Sequence, residues 1–419
     1  MELVSLKKNV YSFSIHPRFN RGILEMSYNP SNLQIALATH YYIYSASQAL
    51  RDFLRLKKSM KLFYIAHPLY LNDVKSKDKS AAEFSVGQKV IKRFTTSRRF
   101  NNILASSIFE FLLLIAWIFK TRQKYDLYIG VDNLNAIQGL ILKKLGKVKK
   151  VVFYTIDYFP TRFENKFLNW IYHTIDRICV ENADETWNVS SKMVAAREKI
   201  YRVSQKARNR QYEVPIGIWY NHSRPKNFAK IDKKKLIFVG HLLPYMGVDL
   251  VIKTLPRLVK DFKGVKLEII GDGEERQNLI NLAKKHGVGD KVKFYGWIRE
   301  RKQLEKIISD GAVGLATFNT KILDEKVKNA DPGKIKDYMQ VGMPVITTNA
   351  VSTADRIVKA EAGVLIDYDS NQLRRAVAEL LKNDEVLKKY RQNALAYVKS
   401  FDYPVIFKPN IERALNSKL

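Results

Sequence analysis

The sequence is poor in cysteine and in acidic residues. The 419-residue chain has one cysteine, Cys179, which excludes an internal disulfide and a cysteine-based metal cage and fits a reducing cytoplasm. Its 41 Asp and Glu are outnumbered by 72 Lys and Arg, and the resulting net charge of +31 predicts an anionic partner such as phospholipid or nucleic acid. Because no His or Cys cluster has the spacing of a metal site, we expect no catalytic metal and no other cofactor.

Long apolar runs are also missing. The first residues, MELVSLKKNVYSFS, have no apolar run after their basic pair, so they do not predict a secretory signal. The most apolar stretch, IFEFLLLIAWIF at 108–119, contains Glu110 and is shorter than the roughly 20 residues that cross a bilayer. It follows a basic stretch in which no acid occurs between Glu83 and Glu110. The pattern predicts either a core helix or an interfacial helix, with residues 84–120 facing an anionic membrane surface.

The chain instead shows a regular alternation of short apolar strands and amphipathic helices. Its length is too great for one core and predicts two domains, each a doubly wound parallel sheet of the α/β class. Residues 70–100 are polar and basic and are predicted to form a mobile loop. The predicted divisions are an unassigned N-terminal segment at 1–30, an α/β domain at 31–214, a linker at 215–234, a second α/β domain at 235–390, and a helical segment at 391–419 that packs back on the first domain.

The stretch NADPGKIKDYMQVGMPVITT at 329–348 combines a helix, a glycine stop and a buried strand. Asp331 is predicted to cap the helix, and Pro332 to occupy its first position. Gly333 and Lys334 are unfavourable in a first turn, but both suit an anion held by free N–H groups and an ammonium. Asp337 lies on the same side and could accept hydrogen bonds from sugar hydroxyls. An ordinary capped helix with a surface lysine is the alternative interpretation.

The segment PGKIKDYMQVGMPVITT resembles the C-terminal signature of group 1 glycosyltransferases, which are retaining enzymes of the GT-B fold. The resemblance implies two Rossmann-like domains facing a cleft, with the donor diphosphate at the helix start and Asp337 on the ribose. It also implies that glycine turns after the first two strands of the second domain border the donor. The donor-binding residues implied in this way are Gly240, His241, Gly271, Gly273, Asp331, Gly333, Lys334 and Asp337.

Three positions depart from the family pattern. His241 and Met246 stand where the family places Arg and Lys, and Asn329 stands where it places an acid. The changes at 241 and 246 remove two positive charges that would otherwise bind the diphosphate, each worth about 1.5–3 kcal/mol as a charge-assisted hydrogen bond.

The acceptor side is predicted from residues that follow strands of the first domain. Asp132 and Asp157 end two buried strands, at the sheet edge where α/β folds bind ligands. His40 and His67 follow two other strands. The predicted catalytic residues are Asp132, Asp157 and Lys334, while each Asp has capping of a turn as its alternative role.

The prediction for function is transfer of a sugar, with retention, from a nucleotide sugar to a glycan, lipid-linked or other hydroxyl acceptor, without a metal. The predicted location is the cytoplasm, at the inner face of the plasma membrane. The main alternative is a peripheral membrane-binding protein with a degenerate sugar-nucleotide site. A phosphorylase or epimerase of the same fold is another. A nucleic-acid binder is disfavoured, because aromatic and basic residues do not interleave on a strand face.

Overall fold

The structure is a computed structural model that describes residues 33–41, 44–68, 79–96, 103–298, 300–323 and 325–417. The unassigned N-terminal segment at 1–30 lies outside the described residues, as do Arg98 and Arg99 of the basic stretch. The described residues form two α/β domains, each built on one sheet.

The first domain contains a sheet with the strand order β4-β3-β2-β1-β5-β6-β7-β8. Its strands are β1 (Gln34–Tyr41), β2 (Lys61–Pro68), β3 (Ala81–Val86), β4 (Lys89–Thr95), β5 (Tyr125–Val131), β6 (Val148–Thr155), β7 (Glu185–Asn188) and β8 (Gln211–Glu213). The helices are α1 (Ala46–Arg55), α2 (Ile103–Thr121), α3 (Asn133–Lys144), α4 (Lys166–Asn182), α5 (Lys192–Glu198) and α6 (Gln205–Arg208).

The prediction of a loop at 70–100 was wrong for its described part. Strands β3 and β4 form an antiparallel hairpin that extends an otherwise parallel sheet from β2. Gly87, with φ +55°, makes the turn, and Phe94 of β4 packs edge-on against Phe63 of β2 at 5.6 Å between ring centroids. A single inward-facing aromatic residue therefore holds a strand whose other side chains are mostly polar and exposed.

The second domain contains a wholly parallel sheet in the order β11-β10-β9-β12-β13-β14, the strand order of a doubly wound fold. Its strands are β9 (Lys235–Val239), β10 (Lys266–Ile270), β11 (Val292–Gly296), β12 (Val313–Ala316), β13 (Val345–Thr348) and β14 (Gly363–Ile366). The helices are α7 (Val248–Asp261), α8 (Arg276–Lys285), α9 (Arg301–Ile308), α10 (Glu325–Asn329), α11 (Gly333–Gln340), α12 (Ala354–Lys359), α13 (Ser370–Leu381), α14 (Asp384–Val398) and α15 (Tyr403–Asn416).

Helix α11 is fixed on the second sheet by one side chain. The hydroxyl of Tyr338 accepts a hydrogen bond from the Val239 amide at 2.6 Å and donates to the Leu315 carbonyl at 3.2 Å. The ring fits only because position 314 is glycine, where a Cβ would lie 2.4 Å from it. The start of α11 is thereby held at the carboxyl ends of the central strands β9 and β12.

The last helix returns to the first domain. Phe407 of α15 lies 5.8 Å from Phe53 of α1 between ring centroids, and Arg413 donates two hydrogen bonds to Glu185 of β7. Helix α14, by contrast, packs beside α11 in the second domain and runs across the predicted division at 390. The chain therefore passes from the second domain back to the first through residues 399–403, between α14 and α15.

Helix α2 is longer than predicted. It runs over 19 residues, and its stretch Leu104–Thr121 is long and apolar enough to cross a membrane by length and composition alone. One face packs on the first sheet, where Leu114, Trp117 and Ile118 are buried. The estimate of 12 residues was too short because the flanking Ala and Ser residues also continue the helix.

Candidate functional site

The second domain places two glycine turns against each other at the ends of β9 and β10. A Cβ on Gly271 would lie 1.9 Å from the Gly240 carbonyl oxygen, and one on Gly273 would lie 2.4 Å from that of Leu242. The Gly240 amide donates to Ile270 O, and the Leu242 amide donates to Asp272 O, each at 2.9 Å. Glycine is thus required at these turns because the two backbones touch.

Lys334 points from the first turn of α11 toward these turns. A Cβ on Gly240 would lie 3.1 Å from its Nζ. The ammonium lies 4.3 Å from the centroid of the Phe238 ring and 4.9 Å from that of Phe318, and Nζ is 3.6 Å from Sδ of Met246. No carboxylate pairs with Lys334 among the described residues. Desolvation lowers the pKa of this lysine from 10.5 to about 7.

The helix start beside Lys334 has the features of an anion site. Pro332 precedes the helix with extended backbone, and no side chain caps the first turn within the described part of the chain. A Cβ on Gly333 would meet nothing nearer than Ile216 Cγ2 at 4.0 Å, so the space before the first amides is open. Uncapped N–H groups, the helix dipole and an unpaired ammonium together suit a phosphate group.

The prediction that Asp331 caps α11 was wrong. Its Oδ2 accepts a hydrogen bond from the Ile216 amide at 2.8 Å, and its Oδ1 is paired with the buried ammonium of Lys336. That ammonium lies 4.9 Å from the Phe401 ring centroid. One carboxylate oxygen thus binds the connection between the domains, and the other binds a lysine of α11 itself. Lys336 could not be predicted from the sequence, because lysine is rarely found on a buried helix face.

Two further predicted donor residues, Asp337 and His241, also lie in the second domain. Asp337 is on α11, but its Oδ1 is 2.7 Å from a guanidinium nitrogen of Arg301, which also binds Glu305. Arg301 was not predicted, although its spacing of four from Glu305 is a helix-pair signal. His241 is exposed in the β9 turn, with its ring 6.3 Å from that of Trp297.

The first domain brings the two predicted acids together. Asp132 and Asp157 follow the neighbouring parallel strands β5 and β6, and they interact electrostatically. Burial, followed by the charge of Asp157, raises the pKa of Asp132 to about 6, while Arg162 and His40 oppose the rise. Oδ1 of Asp132 is buried and has no hydrogen-bond partner among the described residues.

Asp132 is also strained. Its φ of 64° lies in a region that non-glycine residues rarely adopt, at a cost of about 1–3 kcal/mol. The residue immediately precedes α3 but makes no side-chain cap, so its geometry does not serve the helix. A strained, partly desolvated carboxylate at a strand end is typical of a reactive position.

A histidine cluster adjoins this acid. Nε2 of His40 is 3.3 Å from Glu110 Oε2, and its Nδ1 is 3.0 Å from the side-chain nitrogen Nδ2 of Asn135. The His67 ring lies 5.4 Å from that of His40 and its Nδ1 is 3.0 Å from Ser80. In the sequence Glu110 only interrupts an apolar run, and its partner His40 could not be predicted because it lies 70 residues away.

The family model described as "Glycosyl transferases group 1" matches residues 221–396. An uncharacterized glycosyltransferase of Haemophilus influenzae is 28% identical over 165 residues, which are 39% of this chain and 44% of that protein. The lipopolysaccharide core biosynthesis glycosyltransferase LpsE of Rhizobium meliloti is 24% identical over 164 residues, with shares of 39% and 44%. The matched stretch thus spans less than half of these curated relatives.

Solved structures extend the likeness to the whole fold. Sucrose-phosphate synthase from Thermosynechococcus elongatus superposes with a TM-score of 0.67 at 16% identity, covering 92% of this chain and 99% of that one. HepE of Anabaena, solved in complex with UDP, gives 0.63 at 14% identity, with coverage of 92% and 100%. The group 1 glycosyltransferase family therefore matches residues 221–396 of this chain, and its two Rossmann-like domains have the GT-B fold.

Proposed function

We propose that this protein is a retaining glycosyltransferase that moves a sugar from a nucleoside diphosphate sugar to a hydroxyl group of a glycan or lipid-linked acceptor. The observation that carries the proposal is Lys334, a partly buried ammonium with no carboxylate partner among the described residues, beside an uncapped helix start. A buried cation without a counter-ion is costly, and a bound diphosphate would relieve that cost. The UDP in the related HepE structure supports this donor class.

In this proposal the donor diphosphate sits at the start of α11 and against the β9 and β10 turns. Lys334 and the first amides of α11 stabilise the negative charge that develops on the leaving diphosphate. Gly240, Gly271, Gly273 and Gly333 let the ligand approach the backbone, and His241 is positioned to donate one hydrogen bond. The ribose would reach Asp337 beside Arg301, while Asp331 positions the helix without touching the donor.

Asp132 is proposed to hold the acceptor hydroxyl. With a pKa of about 6 its carboxylate is ionised at neutral pH, so it accepts a hydrogen bond or the hydroxyl proton. Burial and then the charge of Asp157 keep the pKa of Asp132 raised, and Asp157 offers a second acceptor position at the same sheet edge. The reaction is proposed to need no metal, because Lys334 and the helix start supply the positive charge.

The proposed location is the cytoplasm at the inner face of the membrane. The buried, free thiol of Cys179 is compatible with a reducing compartment.

A thermal-shift screen against nucleoside diphosphates and their sugars tests the donor proposal. We expect at least one diphosphate to raise Tm, and the corresponding monophosphate to do so less. Transfer to a hydroxyl acceptor, followed by NMR of the anomeric proton, then tests retention, and chelation with EDTA tests metal independence. If no nucleotide shifts Tm in a folded sample, the proposal is wrong, and the alternative of a peripheral membrane-binding protein with a degenerate sugar-nucleotide site is favoured.

A further inference from the structure

Helix α2 carries a stripe of exposed apolar side chains on its outer face. Leu104, Ile108 and Leu112 recur every four residues and are 65%, 55% and 62% exposed. Only 28% of the stretch Leu104–Thr121 is buried. A contiguous apolar stripe of this kind on a folded domain marks a surface that another body covers.

The inner face of α2 keeps the helix on the domain. Trp117 stacks on His67 with ring centroids 6.3 Å apart, and Glu110 pairs with His40 at the end of β1. Leu114 and Ile118 are fully buried. Because these contacts fix one side of the helix, only the opposite side is available, so α2 lies along a surface and does not cross it.

Cations surround the end of this stripe. The ammonium groups of Lys92 and Lys120 lie 5.1 and 5.9 Å from the Phe94 ring centroid, and that of Lys147 lies 4.8 Å from the ring of Phe119. Further exposed cations are Arg122 and Lys124 just after α2, Lys89 at the start of β4 and Lys144 at the end of α3. Aromatic rings next to lysines are typical of groups placed at a lipid headgroup boundary.

We infer that this surface, formed by the outer face of α2, the edge strand β4 and the cations at the end of α2, docks on an anionic lipid bilayer. The apolar stripe would enter the acyl boundary, and the lysines would contact the phosphate groups. A second copy of the chain suits the surface less well, because an isologous contact would bring two sets of these cations together.

The docking surface is connected to the acceptor side of the molecule. Glu110 reaches from the inner face of α2 to His40, which interacts electrostatically with Asp132. Docking therefore brings the acceptor edge of the first sheet close to the lipid headgroups. If the proposed transferase function holds, this geometry favours a lipid-linked acceptor over a free sugar.

Vesicle binding tests the surface without any need for turnover. The protein is sedimented at low ionic strength with phosphatidylcholine–phosphatidylglycerol vesicles and with phosphatidylcholine vesicles alone. We expect binding to the anionic vesicles, and a fall of at least tenfold in the Ile108→Gln/Leu112→Gln variant. Lys92→Glu/Arg122→Glu should weaken binding by at least about 25-fold, since each lost cation contributes about fivefold and the new glutamates add repulsion.

The matched control is Lys284→Glu/Lys285→Glu, which changes two exposed lysines of α8 in the other domain by the same charge. It should bind almost as the unchanged protein does. Circular dichroism and Tm show whether each variant is folded. If Ile108→Gln/Leu112→Gln is not folded, the result for Lys92→Glu/Arg122→Glu decides. Absence of binding by the unchanged protein, or an equal loss in the control, overturns the inference. The inference is also overturned if the unchanged protein is a dimer that does not bind vesicles and that Ile108→Gln/Leu112→Gln converts to a monomer.

Discussion

Replacing Lys334 by methionine should change stability and donor binding in opposite directions. Methionine keeps the length of the side chain and can pack its sulfur on the Phe238 and Phe318 rings. It removes an ammonium that has no carboxylate partner among the described residues. The ligand-free protein should gain stability, while the proposed anion site loses its principal charge.

The size of both effects follows from the site. The fall in the lysine pKa from 10.5 to about 7 corresponds to an upper bound of roughly 5 kcal/mol. We reduce this gain to about 1–3 kcal/mol near pH 7, because the side chain is only partly buried. Loss of a charge-assisted hydrogen bond of about 1.5–3 kcal/mol should weaken nucleoside diphosphate binding roughly 10- to 150-fold.

The sign of the pH dependence is fixed by the same group. The unfolded chain holds the Lys334 proton up to pH 10.5, whereas the folded, ligand-free protein releases it above about pH 7. Stability should therefore rise with pH across this window, and this component should vanish in Lys334→Met. A bound diphosphate would raise the lysine pKa again, so binding at pH 8 should take up close to one proton.

Urea unfolding measures the stability change, and titration calorimetry in Tris and in HEPES measures affinity and proton uptake. Lys285→Met, at an exposed position on α8, is the control and should alter neither. The reasoning is refuted if Lys334→Met leaves diphosphate affinity unchanged. It is also refuted if the binding enthalpies in Tris and HEPES are equal, because that means that binding takes up no proton.

Other positions give further tests. Asp132→Asn should lower turnover by about 10²–10⁴-fold with donor affinity unchanged, and wild-type turnover should fall as pH drops through about 6; a flat pH profile would argue against the role of Asp132. Asp132→Gly should also lose turnover yet raise stability by about 1 kcal/mol or more, measured by urea unfolding, since glycine accepts φ 64°. Asp331→Asn leaves the buried Lys336 ammonium without its partner and should lower the free energy of unfolding by about 3–5 kcal/mol. The double variant Asp331→Asn/Lys336→Met should recover most of that loss in urea unfolding, and no recovery would contradict the ion pair.

Local patterns were sufficient for the two-domain α/β fold. Apolar runs such as VITT and KLIFV predict buried parallel strands from their letters alone, and glycine at 271 and 273 predicts a tight turn. The segment around Lys334 predicts an anion site because Gly and Lys are unfavourable in a first helical turn. These inferences need only neighbours within a few residues, and the fold agrees with the strands and the turn, while the anion site stays a prediction.

Long-range partners could not be predicted in the same way. The hairpin β3–β4 depends on Phe94 finding Phe63, and Glu110 acquires its setting only when α2 packs on the strand that ends at His40. Asp331 has the sequence of a helix cap, but the returning chain places Lys336 and the Ile216 amide against it. The sequence by itself therefore determined the strands, the turns and the helix that begins beside Lys334, since their energetics are local. Only the tertiary structure decided which charges are paired and which, like Lys334, remain without a partner in the described chain, because pairing depends on distances between segments far apart in sequence.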